Sequence, residues 1–200
     1  MRRVPKQARS KQKVARILAA ARSLMIREGG SALTTNRIAA EAGVGVGSLY
    51  EYFPDKQSII NQLIEDLATS ESEHLLARLA LLGDADPGQL IDETVSLVFD
   101  LYLDHHALYR ALWALSTEPR IVGHRPGETQ IMAGVMDRLA SHQQDLGIVD
   151  LKLTCFTIFH MVESLASRMV EQGLTDWNPA TCKNEISRVV RRYLTLPEPG

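Results

Sequence analysis

The stretch Leu33-Thr34-Thr35-Asn36-Arg37-Ile38-Ala39-Ala40-Glu41-Ala42-Gly43-Val44-Gly45-Val46-Gly47-Ser48-Leu49-Tyr50-Glu51-Tyr52-Phe53-Pro54-Asp55-Lys56 decides how the rest of this 200-residue chain is read. Its apolar members, Ile38, Ala39, Ala42, Val44, Leu49 and Phe53, can fasten two short helices to each other and to a helix before them. Gly43 supplies the left-handed backbone position that lets the second helix leave the first at a steep angle. Thr34 or Thr35 can cap the first, predicted over about 36–42. The second is predicted over about 46–52, and Pro54-Asp55 breaks the chain before a long helix over about 56–82. The remaining residues of the second helix include Val46, Gly47, Ser48, Tyr50 and Tyr52, small or aromatic. Small residues at a helix N-terminus allow close approach to a phosphate backbone or a groove floor, and tyrosine hydroxyls can donate to phosphates. The first residues of such a helix are those that reach base edges.

Upstream, Val14, Ile17, Leu18, Ala21, Leu24 and Met25 form one apolar stripe of a helix predicted over about 10–28, which Gly29-Gly30 stops. Before it lies a polar arm. Met1 to Arg16 carries seven basic residues and no acid. Such an arm can lie in a minor groove or along the backbone, with Arg2, Arg3 and Lys6 the best candidates; a plain solubility tail is the alternative. The net charge of −2 hides an asymmetry: residues 1–60 hold eleven Lys/Arg against four Asp/Glu, and residues 61–200 hold eleven against twenty. A basic head on an acidic body points to a polyanion met by the head alone.

Downstream, helical periodicity continues, with helices predicted over about 89–104, 106–116, 127–145, 149–172 and 179–195. Loops fall at 83–88 and 118–127, marked by glycine and proline. No stretch alternates apolar and polar for long enough to make a strand, so the expected fold is all-α with about nine helices. No apolar run of about 18 residues occurs, so no membrane span is expected. Cys155 and Cys182 lack metal or redox spacing, which suits free thiols in a reducing cytoplasm. No nucleophile elbow, metal-ligand spacing or phosphate-binding loop is present. Neither an enzyme nor a cofactor is therefore expected. His105-His106 are adjacent and point about 100° apart on a helix, which does not suit a shared metal.

The segment over residues 10–60 resembles the tetracycline-repressor (TetR) family of bacterial transcriptional regulators. The resemblance lies in Ala21 and Gly29, Leu33-Thr34-Thr35, Ile38-Ala39, Ala42-Gly43-Val44, Gly47-Ser48-Leu49-Tyr50, Tyr52-Phe53 and Lys56. It implies an arm over 1–9 and a three-helix DNA-binding domain over 10–56 with its helix-turn-helix motif at 34–53. A helical regulatory and dimerisation body follows over 57–200. It further implies a homodimer on near-palindromic operator DNA, with a small-molecule inducer bound in the body. By position, Thr34 and Thr35 match capping and phosphate contacts, and Asn36 a position that can reach bases. Val46, Ser48 and Glu51 match groove-facing positions, beside the small Gly45 and Gly47. Tyr50, Tyr52 and Lys56 match backbone contacts. Gly45 stands where a hydroxyl residue is common, so a side-chain cap is lost there. Glu51 places a negative charge where neutral or basic residues are usual; it can accept from cytosine, face solvent or pair with Arg37 or another basic residue. Tyr50 and Tyr52 can alternatively pack the head.

In the body, the helix over 149–172 is apolar nearly all round and must be buried on every side. The resemblance implies that the last two helices pair with their mates in a four-helix bundle. Ile158, Val162, Leu165, Met169, Ile186, Val189, Val190 and Tyr193 are the expected interface. A pocket is expected among Phe99, Tyr102, Tyr109, Trp113, Met132, Phe156 and Phe159, with His160 and Glu163 as polar groups on apolar helices. The leading reading is a repressor released by its inducer. A regulator controlled by a protein partner, or by no ligand, would show a sealed core. An enzyme using His160, Glu163 and Cys155 is the remote alternative.

Overall fold

The computed structural model describes residues 8–83, 85–115, 128–172 and 178–194, apart from the side chains of Trp113, Glu128 and Thr129. Among these residues there are nine α-helices and no strand. They are α1 (Ala8–Glu28), α2 (Thr35–Ala42), α3 (Val46–Tyr52), α4 (Lys56–Leu81), α5 (Pro87–Asp104), α6 (His106–Leu115), α7 (Glu128–Leu139), α8 (Leu151–Glu171) and α9 (Pro179–Tyr193). The expected helix over 127–145 ends early, at Leu139. Ala140–His142 tightens into a 3₁₀ turn, and the Gln143 side-chain Nε2 then donates to the Ile148 carbonyl at 3.2 Å, closing the corner before α8. The expected loop over 118–127 and the arm residues Arg2, Arg3 and Lys6 lie outside the described residues.

Local chemistry accounts for most helix starts. Asp86 accepts from the amides of Gly88 and Gln89, and Pro87 fills the first position of α5, where a missing N–H costs nothing. Asp150 caps α8 through the Leu153 amide at 2.9 Å, and Asn178 caps α9 ahead of Pro179. At the start of α4, the Ser58 amide donates to the Asp55 carboxylate at 2.7 Å, while the Asp55 amide approaches the Ser58 hydroxyl at 3.5 Å; this reciprocal pairing is a capping box.

The described residues fall into two compact units, those within 8–68 and 107–115 in one and those within 69–106 and 128–194 in the other. In the first, α1 buries Val14, Ile17, Ala20, Ala21, Leu24 and Met25. Ile38, Ala39, Ala42, Leu49 and Phe53 complete that core. In the second, α5 packs on α8 and α9, and α7 packs on α8. Two charged contacts join α9 to α5: Arg191 to Asp92 at 2.5 Å and Lys183 to Asp100 at 2.5 Å. Each has one largely buried partner, Arg191 or Lys183, so removing the acid alone would strand a desolvated charge. Among the described residues, no helix is long and apolar enough to cross a membrane.

Candidate nucleic-acid interface and inner cavity

The turn between α2 and α3 is built by Gly43. It sits at φ 60°, ψ 41°, and its amide bonds the Ala40 carbonyl at 3.1 Å while Val44 bonds back to Ala39 at 3.0 Å. This double closure satisfies the last carbonyls of α2 and turns the chain into α3. The Arg16 guanidinium of α1 donates to the Ala42 and Gly43 carbonyls, placing a cation at the negative end of α2. Arg16, which the sequence places in the basic arm, is therefore engaged in holding the turn.

The two threonines divide their work. Thr34 is the cap, its hydroxyl accepting from the Arg37 amide at 3.3 Å. The Thr35 hydroxyl lies 3.1 Å from that of Tyr50, linking the start of α2 to the outer side of α3. Thr34, Asn36, Gly45, Val46, Gly47, Tyr50 and Glu51 are exposed; Thr35, Ser48 and Lys56 are half-buried. Gly45 precedes α3 with extended backbone and no side-chain cap, as its lack of a hydroxyl requires. Glu51 does not have the Arg37 partner that the sequence allowed. Arg37 is engaged by Glu28 at 2.5 Å and by the Ala32 carbonyl at 3.1 Å. Its hydrogen bond, followed by that of Arg27, holds the Glu28 carboxyl below the usual range.

One expectation for this face is corrected. Tyr52 is only 3% exposed and belongs to the core of the head, so its ring is not on the outer surface with Tyr50. Residues two positions apart on a helix stand about 200° apart around its axis, so Tyr50 and Tyr52 face opposite sides of α3.

The second unit holds a small cavity of about 30 Å³ between α5, α7 and α8. Its lining is apolar: Ile91, Val95 and Val98 from α5, Ile131, Met132, Val135 and Leu139 from α7, Ile158, Phe159 and Val162 from α8, with Thr94 and Cys155. The Thr94 hydroxyl is satisfied by the Leu90 carbonyl at 2.7 Å. Burial pushes the Cys155 thiol up to about 11, which favours the protonated thiol over the thiolate.

Of the expected pocket residues, only Met132 and Phe159 line this cavity. Phe99 and Tyr102 are buried core residues away from it. Tyr109 is buried in the first unit, and the Trp113 side chain lies outside the described residues. Glu163 is buried and accepts from the Tyr102 hydroxyl at 3.1 Å, with His160 Nδ1 at 3.4 Å. These groups satisfy one another, which is why the polar signal in the sequence did not mark the cavity wall. Sequence reasoning missed Val95, Val98 and Val135, whose aliphatic side chains carry no signal beyond ordinary core periodicity.

Of the expected dimer face, Val189 and Tyr193 are exposed, whereas most of the other residues are turned inward. Ile158, Val162, Met169, Ile186 and Val190 are buried inside the single chain, while Leu165 is half-buried. The exposed apolar residues of α8 and α9 are Leu153 at 59%, Phe156 at 48%, Val189 at 41% and Tyr193 at 52%. Phe156, expected in the pocket, thus stands on the outside with its ring 4.2 Å from that of His160. A helix apolar on every side gives no clue to which stripe faces inward, and here the Cys155–Phe159–Val162 stripe took the core.

A three-helix head with a glycine-turned second and third helix, joined to further helices carrying their own core, defines a helix-turn-helix DNA-binding regulator. The chain belongs to the TetR family. The profile of "Bacterial regulatory proteins, tetR family" matches residues 17–63, and that of "Tetracyclin repressor-like, C-terminal domain" matches residues 86–194. The chain is 29% identical over 197 residues to "Uncharacterized HTH-type transcriptional regulator YvdT" of Bacillus subtilis, covering 96% of this chain and 98% of that one. Its fold is similar to that of a chain from Mesorhizobium loti described as a TetR-family transcriptional regulator. The TM-score is 0.69 at 18% identity, over 94% of this chain and 98% of that one. It is similar also to the transcriptional regulator FadR of Bacillus subtilis in complex with stearoyl-CoA. Here the TM-score is 0.64 at 19% identity, over 90% of this chain and 98% of that one.

Proposed function

We propose that the chain is a cytoplasmic repressor that binds near-palindromic operator DNA as a homodimer and is released by an apolar small molecule. The observation that carries the ligand is the cavity between α5, α7 and α8. Its wall has no charged side chain and suits a hydrocarbon segment. The bound stearoyl-CoA of the structurally similar FadR supports an acyl chain as the first candidate. At about 30 Å³ the space is far below the roughly 300–1,000 Å³ of a ligand pocket. A ligand enters only by spreading the three helices, so its affinity for the spread arrangement is what shifts the protein away from DNA. Exposed DNA-facing groups (Thr34, Asn36, Val46, Tyr50 and Glu51) with half-buried Thr35, Ser48 and Lys56 make up the reading face, and the basic Arg2, Arg3 and Lys6 are further candidates for DNA contact by their charge.

The test is fluorescence anisotropy of a labelled operator duplex titrated with stearoyl-CoA. The parent is expected to release the duplex, while Val98→Phe, which fills the cavity, keeps DNA binding and loses release. Release from both alike would place the ligand elsewhere. A second reading is favoured by the same small volume: a sealed core suits a regulator controlled by a protein partner or by no ligand. Retention of the duplex by the parent across acyl-CoA chain lengths would favour it.

A further inference from the structure

We propose that Leu115, the last residue of α6, is a positioning residue for DNA binding, seated in a notch that Gly30 provides in the head. The pair Gly29-Gly30 ends α1, but the two glycines answer different demands. Gly29 has φ 80°, a conformation that favours glycine. Gly30 has no positive φ, so its backbone does not demand glycine. What demands it is space. A Cβ on Gly30 would lie 2.3 Å from Leu115 Cγ and 2.6 and 2.8 Å from its two methyl carbons. Carbon atoms in contact stand about 3.5–4.0 Å apart, so the branched end of Leu115, Cγ with its two methyl carbons, occupies the place of the missing side chain.

The seat lies at the corner that aims the reading helices. Gly30 begins the 3₁₀ turn Gly30–Ala32, and the Leu33 amide bonds back to the Gly30 carbonyl at 3.2 Å. Leu33 is buried, and the next residue, Thr34, caps α2. From α2 the rigid Gly43 turn leads into α3. Whatever fixes Gly30 therefore fixes the start of α2 within four residues of chain. On the other side, Leu115 is half-buried and follows the buried Leu108 and Leu112 along α6. Residues 107–115 pack with the head's unit, although the C-terminal family profile over 86–194 contains them. A piece of the regulatory sequence is thus keyed into the DNA-reading unit, and a displacement of α6 reaches the head at this corner.

The experiment is size exchange across the contact, read on two duplexes: one selected by the parent from a randomised pool, and a scrambled duplex of equal length. Gly30→Ala forces Leu115 out of its seat. It is expected to weaken binding to the selected duplex by about tenfold or more while changing the scrambled one by less than about twofold, because the basic surface is untouched. The double variant Gly30→Ala/Leu115→Ala removes all three clashing carbons and is expected to restore selected-duplex binding to within about threefold of the parent, a strongly non-additive cycle. Helicity by circular dichroism accompanies each variant. Parental binding by Gly30→Ala overturns the proposal, as does failure of the double variant to recover, whether folded or unfolded. Equal loss on both duplexes overturns it too, since that marks lost fold rather than lost position.

Discussion

A chain carrying Phe156→Glu together with Val189→Glu is expected to be monomeric and to bind its operator weaker by two orders of magnitude or more. The expectation starts from the outer faces of α8 and α9, which expose Leu153, Phe156, Val189 and Tyr193. If a second copy covers that surface, each added carboxylate is buried without a partner, at a cost of several kcal/mol. Losing the second head removes the avidity of two linked half-site contacts, about 10²–10⁴ in affinity. Light scattering reads the assembly and anisotropy the binding. Val190→Asp is the contrast: Val190 is fully buried within the chain, so that charge is expected to cost helicity before it affects assembly. A double variant that stays dimeric would move the interface off these helices.

Gly43→Val is expected to destabilise the head by about 2 kcal/mol and to abolish selective DNA binding, with Gly43→Asn much milder. Gly43 has φ 60°, and a side chain there costs about 1–2 kcal/mol, least for asparagine, which tolerates that region. An added Cβ would also stand 2.6 Å from the Arg16 guanidinium, displacing it from the Ala42 and Gly43 carbonyls. That removes a cation at the end of α2 worth about 0.3–1 kcal/mol. Thermal unfolding and anisotropy check both effects. Unchanged selectivity in Gly43→Val would mean that the turn does not set the placement of α3.

The head was legible because its determinants are local. Thr34, Gly43 and Asp55 each act within four residues, and the helix bounds they predict agree closely with those observed. The regulatory part was legible only as helices. Leu153 and Phe156 on one side of α8, and Cys155, Phe159 and Val162 on the other, are equally apolar; only tertiary packing decides which stripe is inner. Glu163 and His160 looked like ligand contacts because buried polar groups need partners. The partner, Tyr102, lies 61 residues away and could not be matched from sequence. Gly30 looked like a second helix stop, since the leucine that fills its notch is on α6.

The central claim, a dimeric reader of operator DNA, is tested most directly by selection of the purified full chain on a randomised duplex pool. Enrichment of a near-palindrome is expected, with half-sites one helical turn apart, about 34–36 Å or a multiple of it. Enrichment of a lone half-site, or of no sequence at all, would contradict it.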